Sequence, residues 1–112
     1  DFYDKKNGYA IGGDYTKPEI NSLNKIITSD GGKTWKSIAD NQNPGYRSCV
    51  QYFPNSDGKK LLAVGFDGID YSSDSGMTWK HFSDEGYYTV RFLNDTVAFA
   101  AGNGKISKLY FK

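Results

Sequence analysis

Apolar residues along this chain fall in short runs instead of on helical stripes. Cys49 to Phe53, Leu61 to Phe66, Thr89 to Leu93 and Thr96 to Ala101 are each of strand length and rich in β-branched, aromatic or small apolar side chains. Gly, Asp, Asn and Ser fill the intervals, as expected for tight turns between strands. The pattern predicts an all-β chain and gives helix little support.

The runs belong to a repeat. Thr28-Ser29-Asp30-Gly31-Gly32-Lys33-Thr34-Trp35 returns as Ser72-Ser73-Asp74-Ser75-Gly76-Met77-Thr78-Trp79, a shared Ser/Thr-x-Asp-x-Gly-x-Thr-Trp. Upstream, Ala10-Ile11-Gly12, Ala63-Val64-Gly65 and Ala100-Ala101-Gly102 match, and before them Phe2, Tyr52 and Phe92 align. A complete unit reads as four strands, a to d, with the Ser/Thr closing strand c and the Trp opening strand d. Four short antiparallel strands repeated in this way describe a β-propeller blade. The units cover about 1–40, 46–83 and 87–112, two nearly complete and one partial, so residues 1–112 form one partial propeller. The third unit ends after its strand c, Lys105 to Phe111, and the first opens inside its strand a. Rings close with about four to eight blades, so the chain is expected to be the carboxy-terminal portion of a larger propeller, packed against the remaining blades of a parent chain. Self-assembly of the short chain into a ring is the lesser alternative.

Composition narrows the functional classes. In 112 residues, 14 Lys+Arg against 13 Asp+Glu leave a net charge of +1, which speaks against a nucleic-acid partner. Ile, Leu, Val and Phe make up only 23 residues, yet aromatics reach 16% and the charge is near neutral, so the chain is expected to fold. No stretch approaches 18 apolar residues, and no apolar leader opens the sequence, so no membrane span is expected. Cys49, the single cysteine, has no internal partner and leaves the redox compartment open. With one His and one Cys, zinc lacks ligands. Neither repeated turn supplies the alternating carboxylates of a calcium loop. No metal and no cofactor are expected.

In the repeated turn, Asp30 and Asp74 are placed to accept backbone N–H groups and nearby hydroxyls. Gly32 and Gly76 supply positive φ, and Trp35 and Trp79 bury aromatic surface against the blade or its neighbour. Thr28, Thr34, Ser72 and Thr78 complete this structural set. Both copies resemble the Asp-box, or BNR repeat, of sialidase-like propellers. There the resemblance implies a folding element on the outer rim, away from any active site. The aromatic residue followed by Gly8-Tyr9-Ala10-Ile11-Gly12-Gly13 is also similar to propellers of the photosystem II stability/assembly factor-like group. The resemblance spans nearly the whole chain and implies a secreted or periplasmic protein.

In an antiparallel blade the b→c and d→a connections share one end, opposite the aspartate turns. That end carries a nine-residue insertion, Tyr15 to Leu23, and the polar connectors 40–47 and 84–88. Asp14, Tyr15, Tyr46, Arg47, Asp67, Tyr87 and Tyr88 are therefore the ligand-binding candidates, with Lys17, Glu19, Phe66 and Arg91 around them. Arg47 is the foremost. The plainer alternative is that the tyrosines pack the loops and Arg47 pairs with a carboxylate. No catalytic residue is assigned: no Gly-x-Ser-x-Gly occurs, and His81 sits near an outer strand. The function read from this is a non-catalytic binding or assembly propeller recognising a protein or glycan. The alternative is a sialidase-like glycoside hydrolase; the resemblance would then require three Arg, and only Arg47 and Arg91 are present.

Overall fold

The computed structural model describes residues 1–111. Lys112, grouped by sequence with the third unit, lies outside the described residues. Ten strands form three antiparallel sheets with no helix among the described residues: β1 (Gly8–Ile11), β2 (Lys25–Thr28) and β3 (Lys36–Ser37); β4 (Cys49–Tyr52), β5 (Leu61–Gly65), β6 (Gly68–Ser72) and β7 (Lys80–Ser83); β8 (Thr89–Phe92), β9 (Val97–Gly102) and β10 (Lys105–Tyr110). Each sheet runs in chain order, so every neighbour is joined by a hairpin-type connection. The middle sheet is the complete a-b-c-d unit; the first holds b-c-d and the third a-b-c.

Strand a of the first unit shrinks to a single bridge, Phe2 to Gly8. Asp4 accepts hydrogen bonds from the Lys6 and Asn7 amides, both at 2.7 Å, and Tyr3 N donates to Asn7 O at 2.8 Å, which closes a tight turn. Beyond the bridge, Asp1 and Tyr9 exchange backbone hydrogen bonds, both at 2.8 Å.

The continuous apolar run on β5 follows from cover on both faces. Successive side chains of a strand point to opposite sides. Leu62 and Val64 join Val90, Ala98 and Ala100 in the core shared with the third sheet. Leu61 and Ala63 join Tyr9 and Val50 in the core shared with the first. Each fully buried Leu or Val contributes about 1.5–3 kcal/mol. β4 lies beside both β1 and β8, which makes it the inner strand linking the three sheets.

The two aspartate turns fold alike. Thr28 Oγ1 donates to Asp30 Oδ1 at 2.8 Å and accepts Gly32 N at 3.0 Å; Asp30 in turn accepts Thr34 N at 2.9 Å and Thr34 Oγ1 at 2.6 Å. In the second turn Ser72, Asp74, Gly76 and Thr78 make the same four bonds. Gly32 and Gly76 have φ of 91° and 85°, a region other residues resist. Bonds from Thr34 and Thr28 hold the Asp30 carboxyl down at about 2. Burial pushes the Asp74 carboxyl upward, but the bonds from Thr78 and Ser72 outweigh it and the net shift is downward.

The indoles differ. Trp79 Nε1 donates to Gly76 O at 3.1 Å and to Tyr9 Oη at 3.3 Å, with its ring 5.8 Å from that of Tyr9 in the neighbouring sheet. Trp35 is 38% exposed and meets only the edge of Phe2 among aromatic rings. The expectation of a buried indole therefore needs correction at Trp35, because no sheet among the described residues covers that flank as the first sheet covers Trp79.

Candidate functional site

At the opposite rim, the 12–24 loop is built on Asp14, whose Oδ1 accepts Thr16 N at 2.9 Å while its carbonyl accepts Lys17 N at 2.9 Å. The loop docks on the connector that leads into β4: Tyr46 N donates to Pro18 O at 3.0 Å, and the buried Asn24 donates to Gly45 O at 2.7 Å. Contact here is close enough to demand glycine. A Cβ on Gly45 would lie 1.9 Å from Pro18 O, and one on Gly86 would lie 2.0 Å from Phe66 O in the next connector. Each connector is thus pressed under the b→c loop of the preceding sheet.

This docking opens a groove of about 460 Å³ lined by Tyr15, Tyr46, Ser48, Phe66 and Tyr88. Four ring-bearing residues arrive from four separate stretches of loop. Tyr46 and Phe66 pair at 5.8 Å with planes 38° apart. Tyr15 is 70% exposed and Tyr88 55%. Tyr3, Tyr9 and Tyr87 donate their hydroxyls within the chain, to Asp57, Gly76 O and Ser107. Among the described residues, the hydroxyls of Tyr15, Tyr46 and Tyr88 have no such partner. Ser48 Oγ donates to Tyr88 O at 2.7 Å and ties two walls together.

Other candidates serve the scaffold beneath. Arg47 is 5% exposed: Nε donates to Asp70 Oδ2 at 2.8 Å, Nη2 reaches the same oxygen, and Nη1 donates to Asp67 Oδ1 at 2.6 Å and to Tyr46 O at 2.8 Å. The foremost candidate is therefore corrected from a ligand-facing cation to a buried pair, because two carboxylates and a carbonyl already take its donors. Tyr87 is corrected likewise: it is 3% exposed in the core and donates to Ser107 Oγ at 2.6 Å. Asp67 meets Arg47 through Oδ1 and Asp14 closes its own turn through Oδ1, so each carboxylate is half engaged within the chain. Lys17 and Glu19 lie exposed on the 12–24 loop, and Arg91 on β8 donates to Thr89 Oγ1 at 3.0 Å and Val90 O at 2.7 Å, away from the groove.

Sequence reasoning missed three members of this layer. Asp70, buried in the middle of β6, also meets His81 Nδ1 at 2.9 Å, and His81 Nε2 meets Asp84 Oδ1 at 2.6 Å. Hydrogen bonds to Asp70 and Asp84 raise the imidazole pKa. Lys25 is fully buried, with Nζ donating to Gln42 O at 2.7 Å and Asn24 Oδ1 at 3.1 Å; burial pulls its ammonium down to about 8. A charge in the middle of an apolar strand is the signal that points to such a partner: Asp70 stands between Ile69 and Tyr71. Among the described residues no three His, Cys, Asp or Glu side chains gather as metal ligands.

No family model matches the chain, and no curated protein matches it. Among solved structures it is similar to one described as "YCF48 bound to D1 peptide", with 18% sequence identity and a TM-score of 0.72. The match covers 98% of this chain and 35% of that one, so the chain spans about a third of the length of that structure. At this identity the likeness shows the fold: the three sheets are antiparallel blades of a β-propeller. No helix of the chain is long and apolar enough to cross a membrane among the described residues.

Proposed function

We propose that the chain is a non-catalytic binding or assembly propeller, stapled by Asp-box turns on one rim and recognising a protein partner on the other. One observation carries this: four aromatic residues from separate loops converge on a groove while the charged groups beneath them are paired with one another. Rings on a rigid scaffold, largely exposed and backed by buried ion pairs, suit binding better than proton transfer. The propeller of similar fold, described as bound to a peptide, agrees with a protein partner. Nothing at the groove favours the sialidase-like alternative, since Arg47 is engaged and Arg91 lies elsewhere.

The test is a random peptide library selected on the immobilised full chain. Recovered peptides should lose about tenfold or more in affinity when Tyr88→Ala and Tyr15→Ala are combined, the usual effect of removing central aromatic contacts. Lys33→Ala, on the opposite rim, should leave affinity unchanged. Peptides that ignore the groove substitutions would reject the reading.

The proposal extends to the flanks. Exposed Phe99 and Ile106 on β9 and β10 stand where Leu62 and Ile69 stand on β5 and β6, the face that packs on the third sheet. A further blade of a parent chain is the natural cover. An intact mass of the native product no greater than that of these 112 residues would count against it.

A further inference from the structure

We infer that the groove takes an uncharged, extended peptide segment bearing proline; this rests on the protein-binding reading above and names its ligand. The donors and acceptors decide the class. Tyr15, Tyr46 and Tyr88 line the groove with hydroxyls that no group in the described chain engages, whereas Ser48 is already bonded. No lysine, arginine, aspartate or glutamate lines the cavity, and the Arg47 guanidinium beneath it is spent on Asp67 and Asp70.

A charged peptide would lose hydration at these rings and find no counter-charge. A glycan would present many hydroxyls that need carboxylates and amides arranged around them. None of these lines the groove: its walls are Tyr15, Tyr46, Ser48, Phe66 and Tyr88, and the amide of Asn24 is spent on Pro44 O and Gly45 O. A proline-bearing segment in the polyproline II conformation offers the complement: flat apolar pyrrolidine rings for the aromatic faces, and carbonyls without internal partners for the phenol hydroxyls. Its conformation is largely set before binding, so little entropy is lost on an open groove. Aromatic-lined grooves are a recurrent solution for such segments.

The experiment titrates the full chain with an end-capped proline nonapeptide, a capped Gly/Ser peptide of equal length and maltohexaose, following the ring resonances of Tyr15, Tyr46, Phe66 and Tyr88. The proline peptide should shift all four and saturate, and bind about tenfold more tightly than the Gly/Ser peptide. Tyr46→Phe and Tyr88→Phe, which keep the ring and remove the hydroxyl, should each weaken it about threefold or more, the effect of one lost hydrogen bond. Equal affinity for the two peptides, or no saturable shift with the proline peptide, would overturn the inference. If library-selected peptides without proline occupy these rings while the proline peptide does not, the ligand class fails and the protein-binding rim stands. If only maltohexaose occupies them, both fail.

Discussion

Arg47 is locked onto Asp70 across the middle blade, from the connector before β4 to the centre of β6. The third blade repeats the relationship in neutral form. Arg47 N donates to Gly12 O and Tyr87 N to Gly65 O, equivalent carbonyls of the preceding blades; Asp70 pairs in register with Ala63, and Ser107 with Ala100. Arg47–Asp70 and Tyr87–Ser107 are thus the same tie made with different chemistry, each pinning a groove connector to strand c.

Arg47→Ala should therefore destabilise the chain by about 3 kcal/mol, because it leaves the buried Asp70 carboxylate with only the half-exposed His81 as partner. Arg47→Met combined with Asp70→Leu should recover most of the loss. Urea denaturation of the three proteins checks this, and a loss below about 1 kcal/mol for Arg47→Ala would show that Asp70 finds another partner.

The neutral tie should be weaker. Tyr87→Phe removes one hydrogen bond to Ser107 and should cost about 1 kcal/mol, with the groove resonances unmoved. A change in ligand affinity without a change in stability would return Tyr87 to the binding face.

The two indoles separate by their cover. Trp79→Ala should cost about 2–3 kcal/mol, less than a fully buried ring because Trp79 is only partly buried against Tyr9. Trp35→Ala should cost about 1 kcal/mol or less. Equal melting shifts for the two would contradict the asymmetry.

Stability should carry a histidine signature. His81 faces Asp70 from β6 and Asp84 from its own connector, and Arg47 meets Asp70 on its other oxygen. Because the folded pKa is raised, the imidazolium's contribution is fully present below the ordinary value near 6.5 and lost as pH rises through the folded value. The melting temperature of the wild type should fall relative to His81→Gln as pH rises from about 6.5 through the raised folded value. Parallel profiles would mean that His81 is not charged in the fold. At the acid end, the Asp30 contribution is present above about 4 and lost as pH falls through about 2.

Local signals made the strands and turns legible. The short apolar runs of β4 and β5, the Gly-Asp spacing of residues 28–35 and 72–79, and the two-residue turns Phe66-Asp67 and Asn103-Gly104 all depend on neighbours in sequence. The groove is legible in part: loop position alone brings Tyr15, Tyr46 and Tyr88 to that rim. It does not separate them from Arg47 and Tyr87, because a connector's last residues can turn up to solvent or down to strand c, and only the partner on strand c decides. Lys25 was silent for the same reason; its partner carbonyl, Gln42 O, lies in a connector of no regular structure.

The most direct measurement is a resonance-shift map of the full chain with a library-selected peptide. Our account predicts saturating shifts at Tyr15, Tyr46, Phe66 and Tyr88, with Asp30, Asp74 and their turns unmoved. Shifts concentrated at the aspartate turns, with the aromatic groove silent, would contradict it.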